Sequence, residues 1–159
     1  MRRTLRITAA CAVLGLAISC GSSGGGGDTA AFQAALQGTW AGCVQGTNSL
    51  SLTFTITGLS YTVVTASPCN GTGSQQSGTL TIGSPETVQL NGQSVTAYQV
   101  NETTTNPNGT LYTLAYVDTT ASPNNLYIGD IFSDPNHDGS SADKRPTALL
   151  PLPFPKQPQ

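Results

Sequence analysis

Charge is scarce in this chain, and what it lacks narrows its work quickly. Only 9% of its 159 residues are Asp, Glu, Lys or Arg. Six residues are basic: Arg2, Arg3 and Arg6 open the chain, and Lys144, Arg145 and Lys156 sit near its end. A nucleic-acid binder needs a basic surface to displace counterions from phosphates, and no such surface can be assembled here. One histidine, His137, leaves zinc coordination short of nitrogen ligands and gives a Ser–His–Asp triad a single possible base. The only glutamates are Glu86 and Glu102. No GxSxG elbow, phosphate loop or HExxH pair occurs, so the chain is expected to be non-catalytic. No apolar run approaches the roughly 20 residues that a membrane-spanning helix requires.

The first twenty residues, MRRTLRITAACAVLGLAISC, carry an address. Three arginines precede an uncharged apolar run over residues 7–18, which has the length of a signal-peptide core. The run ends in LAISC, which resembles the lipobox of bacterial lipoproteins. The resemblance implies that Cys20 receives a diacylglyceryl group, that residues 1–19 are removed, and that the protein works in the cell envelope, by default at the outer membrane. A mature lipoprotein carries two or three acyl chains, enough to hold firmly where one would not. Residues 20–28 then form a tether, because GSSGGGG has nothing to bury and glycine loses much entropy on ordering. Beyond residue 19, three basic residues face eight acidic ones, a formal charge of −5.

Two further cysteines, Cys43 and Cys69, lie in the exported part. Without a CxxC spacing or a nearby histidine, and in an oxidising compartment, they are expected to form a disulfide.

Residues 29–150 read as one all-β domain. Residues 29–37, TAAFQAALQ, suit a short helical turn capped by Asp28 or Thr29. After it the helical signal ends, and no crossover supports a parallel sheet. LSLTFTIT (50–57) alternates Leu, Leu, Phe and Ile on one face with Ser and Thr on the other. Asn91-Gly92 between two extended runs is a strong hairpin signal. Threonine is the commonest residue, with 23 copies, and its branched side chain suits the wet face of a sheet. About eight short strands are counted, which predicts a small antiparallel barrel or a sandwich. Residues 151–159 carry four prolines in nine positions. They read as a Pro-rich tail suited to polyproline II and excluded from a central strand, either lying across the domain, hanging free for a partner, or ending as a loosely packed terminus.

LQGTWAGC holds the only tryptophan. A helical turn followed by Gly-x-Trp at the first strand resembles the lipocalin and calycin superfamily. There the Trp plugs the closed end of an antiparallel barrel and an Arg from near the C-terminal end covers its ring. The resemblance implies structural roles for Gly38, Trp40 and Arg145, and a small apolar or amphipathic ligand in the barrel mouth. Avidins share the opening, but their biotin site uses several tryptophans and this chain has one. Five tyrosines in strands (Tyr61, Tyr98, Tyr112, Tyr116 and Tyr127) are candidate cavity-lining residues.

DPNHDG places Asp134, Asn136, Asp138 and Gly139 as in the first half of an EF-hand calcium loop. Position 12 of that loop is Arg145 rather than a carboxylate, so calcium is at most a weak cofactor, and the same residues also make ordinary surface turns. The expected partners are therefore the membrane, through the anchor, and a small ligand; an envelope protein is the alternative, with a tethered interaction or inhibitor module as the alternative function.

Overall fold

A computed structural model describes residues 26–44 and 49–159. The signal run, Cys20 and most of the tether lie outside the described residues. Helix α1 spans Gly26–Ala35, beginning inside the stretch expected to be tether. Its alanines favour the helix, and Asp28 in the first turn complements the helix dipole. Phe32 and Leu36, four residues apart, turn the same way and are buried.

Eight strands follow: β1 (Gly38–Val44), β2 (Leu50–Thr57), β3 (Ser60–Ala66), β4 (Gly73–Leu90), β5 (Gln93–Thr105), β6 (Asn108–Asp118), β7 (Asn125–Ile128) and β8 (Phe154–Pro155). All neighbours pair antiparallel in chain order, the simplest up-and-down path. The sheet curls until β8 meets β1. There Trp40 bridges Lys156, and the Gln157 amide donates to Thr39 O at 2.8 Å. The result is a barrel closed but for this short seam, not a sandwich.

The alternation in β2 is realised as expected. Leu52, Phe54 and Ile56 are buried, while Thr55 and Thr57 are exposed. On the outer face, hydroxyls meet across strands: Thr39 with Thr55 at 3.3 Å, Thr62 with Ser77 at 3.4 Å, and Thr103 with Thr110 at 3.4 Å. Asn91 and Gly92 both take positive φ, 52° and 77°, as a two-residue type I′ hairpin requires. β4 is one continuous strand, bent by a register shift between Ile82 and Pro85 where it pairs with β5.

The proline-rich end is the chief departure from expectation. Residues 151–159 do not stand apart. Leu150 N donates to Ile128 O, Leu126 pairs with Phe154, and Lys156 N donates to Asn124 O. The segment therefore runs along the free edge of β7 and breaks only around Pro151 and Pro153, which have no N–H to give. Phe154 is fully buried and meets Phe54 edge-on, ring centroids 5.7 Å apart. Gly42 makes this possible: a Cβ there would lie 2.8 Å from the Phe154 ring. A sequence rule that keeps proline out of central strands holds; this strand is the last one and closes the seam.

Apolar residues separate into two clusters. The interior cluster includes Trp40, Phe54, Tyr61 and Val100. A second cluster, Val88, Leu90, Ala97, Leu114 and Leu149, is built from β4, β5 and β6. Leu149 covers it from the segment between β7 and β8, so this part of the sheet is apolar on both faces and breaks the simple in–out alternation.

Candidate functional site

One end of the barrel is plugged. Trp40 is fully buried, and its indole Nε1 donates to Leu36 O at 2.9 Å, fastening the first strand to the end of α1. Phe32 stacks on Tyr98 with centroids 4.2 Å apart. The Gln37 side chain clamps the β2–β3 turn, accepting from Gly58 N at 2.6 Å and donating to Gly58 O at 3.1 Å. Beneath this plug only about 20 Å³ of space remains.

The cation over Trp40 is Lys156, whose Nζ lies 5.1 Å from the ring centroid. This corrects the expectation for Arg145. Gly38 has φ of 121°, and a Cβ on it would meet Lys156 Cε at 2.7 Å, so the glycine of Gly-x-Trp serves both backbone and clasp. Arg145 does not reach Trp40 because β5 and β6 hold it elsewhere. It lies 5.6 Å from the Tyr112 ring centroid, donates to Val100 O at 3.0 Å and to Thr113 O, and meets Asn101 Oδ1 at 2.7 Å. Burial lowers its pKa, with Glu86 and Tyr112 opposing.

The other end is open. A cavity of about 250 Å³ lies there. β2 contributes Leu50, Leu52 and Phe54 to its wall, β3 gives Val63 and Thr65, and β6 gives Leu111 and Thr113. Gln76 from β4, Glu102 from β5 and Ile128 from β7 complete the inner wall. Gly129, Ile131 and Phe132 form the lip. Asp130 fixes that lip by accepting from Phe132 N and Ser133 N, both at 3.1 Å. Phe132 is 55% exposed, a large apolar side chain left at a cavity entrance. The Cys43–Cys69 disulfide forms as expected and ties the end of β1 to the β3–β4 connection on this same side.

Glu102 is the residue that the sequence reading missed. It lines both the open cavity and the small space below, so it sits on the cavity floor. The apolar surroundings push its carboxyl up to about 7. No hydrogen bond or ion pair reaches that carboxyl among the described residues. Tyr61 lies near enough to feel it, and desolvation together with Glu102 pushes its hydroxyl up to about 12. Counting by twos from Tyr98 and Val100 would have placed Glu102 on the inner face.

The remaining candidates lie elsewhere. Among the five tyrosines, Tyr61 lines the small lower space, Tyr98 stacks under the helix, and Tyr116 and Tyr127 join the second cluster. Asp134 caps a short 3-10 turn, Pro135–His137, accepting from Asn136 N at 2.8 Å and Asn136 Nδ2 at 3.1 Å, and it meets His137 Nδ1 at 2.9 Å. Asp138 accepts from Ser140 N and Oγ. The carboxylates of the DPNHDG loop are thus turned onto their own loop. No group of three or more His, Cys, Asp or Glu that could hold a metal occurs among the described residues.

Together these features define a class: a small up-and-down β-barrel, plugged at one end and hollow at the other. No family model, curated protein or solved structure matches the chain.

Proposed function

We propose that this chain is an envelope lipoprotein, anchored through Cys20, whose barrel carries a small apolar or amphipathic ligand in its open end. The observation that supports the reading is the cavity of about 250 Å³, walled mostly by apolar side chains and edged by an exposed Phe132. On the scale where a dry cavity of about 150 Å³ takes benzene, it holds a body of about ten non-hydrogen atoms. A longer chain extends past the lip. The role is binding rather than catalysis: His137 is engaged by Asp134 and is not among the residues that line the cavity. The lipocalin-like reading also draws on the buried Trp40 under its lysine clasp. An interaction module that displays its proline-rich end is less well supported, because Phe154 is buried in the seam.

Nile red, a neutral apolar dye, tests the carrier reading. It is expected to bind at one site and brighten, and Leu111→Trp, which fills the cavity from β6, is expected to abolish the signal while the circular dichroism spectrum is kept. Equal binding by the filled variant would refute the carrier reading. Labelled palmitate incorporation that persists in Cys20→Ala would refute the anchor.

A further inference from the structure

Resting on the carrier reading, we infer that the occupant of the open cavity is a small amphiphile with a protonated amine head, seated on Glu102 with its apolar body toward Phe132. The first argument is position. Glu102 stands on the floor, between the open cavity and the small space below, so a head group that reaches it leaves the rest of the ligand against Leu52, Val63, Leu111 and Ile131.

The second argument is the donor and acceptor inventory. Thr65, Gln76, Glu102 and Thr113 supply the cavity's polar side-chain atoms, and each offers an oxygen acceptor. An ammonium brings three donors and no acceptor, which matches such a set. A carboxylate head brings acceptors only: the Thr65 and Thr113 hydroxyls and the Gln76 amide could donate to it, but the ionised Glu102 carboxyl could not, so Glu102 is the group that selects the ammonium.

The third argument is charge. Glu102 and, beneath it, Tyr61 are the titratable groups that line the two spaces. β2, β6, β7 and the lip present no ionisable group to the interior. Lys144, Arg145 and Lys156 line neither space. A fatty acid would therefore meet a carboxyl with no cation to offset it, whereas an amine gives the buried carboxyl a partner. The acidic balance of the chain further favours the approach of a cation.

The consequence is a pH dependence of known sign. Alkylamines stay protonated through neutral pH, so their affinity rises as Glu102 ionises through about pH 7. At pH 5.5 about 3% of Glu102 is ionised in the free protein, which sets a ceiling near thirtyfold.

Titration calorimetry on the full chain with n-octylamine, n-octanol and n-octanoate, at pH 5.5 and 8.5, tests this. Octylamine is expected to bind about tenfold or more tightly at the higher pH, octanol equally at both, and octanoate more weakly at the higher pH. In Glu102→Gln, octylamine is expected to fall to the level of octanol and to lose its pH dependence. Octanol binding with no advantage or pH dependence for octylamine overturns the amine inference and leaves the carrier reading standing. If none of the three binds, the carrier reading fails and this inference fails with it. The pH series on the unsubstituted chain decides the matter even where the variant does not fold.

Discussion

The two ends of the barrel share the same strands and differ in almost everything else. At the plugged end, aromatic rings from the helix, β1 and β5 fill the interior, and the Trp40 indole nitrogen has a backbone partner. At the open end, mostly apolar and threonine side chains line unfilled space around a carboxyl with no hydrogen-bond or ion-pair partner among the described residues. Well-packed interiors are dense and fully hydrogen-bonded, so the plugged end is where stability is concentrated. The open end gives up that density. A protein retains a hollow with a lone carboxyl at a cost to its own stability, and such concentrations of perturbed groups mark binding sites.

The sharpest way to break the comparison is at the plug. Trp40→Ala is expected to cost about 3–5 kcal/mol, because the cavity it leaves cannot collapse against a barrel wall. Urea unfolding measures this, and Nile red affinity of the fraction still folded should stay unchanged. A loss below about 1 kcal/mol would mean that the plug is not the stable end.

The disulfide sits at the other end. Cys43→Ser is expected to cost about 3 kcal/mol, since the bond closes a separation of 26 residues in the unfolded chain. Unlike the plug variant, it should also weaken dye binding, because β1 and the β3–β4 connection are then free to part at the mouth.

Glu102 contributes a pH effect. The folded barrel holds this proton up to about pH 7, whereas the unfolded chain releases it near the ordinary carboxyl value. The folded state therefore binds more protons between those values. This contribution to stability is fully present below the ordinary value and is lost as pH rises through 7. Between pH 5 and 8 the loss should be on the order of 2 kcal/mol, reduced from the full shift because the side chain is only partly shielded from solvent, which screens the charge. Glu102→Gln should flatten that dependence. A flat curve in the unsubstituted chain would place the carboxyl in contact with bulk water.

The smallest effect belongs to the clasp. Lys156→Met keeps the stem and removes the charge over Trp40, and is expected to cost about 1 kcal/mol. Arg145→Met should leave the Trp40 fluorescence spectrum unchanged, whereas Lys156→Met should shift it.

Much of the wall was legible in the residues. The alternation of Leu52, Phe54 and Ile56 is local, and so is the need for positive φ at Asn91-Gly92. Less legible was how the eight strands are made up: Gly73–Leu90 is one long bent strand, and Phe154–Pro155, from the proline-rich stretch, supplies the eighth. Proline-rich composition says that a segment cannot donate at every position; it does not say that a neighbouring edge lacks a strand. The identity of the clasp was hidden for the same reason. Lys156 and Arg145 are equivalent as sequence, and which one reaches the indole depends on where the last strand crosses the first.

What the sequence by itself determined was the repertoire: antiparallel strands with one greasy face, a tight I′ hairpin, a disulfide between Cys43 and Cys69, and a tryptophan at the first strand. Each follows from chemistry within a few residues or from a small choice of partners. Only the tertiary structure decided that the barrel is hollow at one end, that Glu102 stands alone on the floor of that hollow, and that the C-terminal residues seal the seam. Those are properties of how strands distant in the chain close around a volume, and neither volume nor isolation exists until the ring is formed.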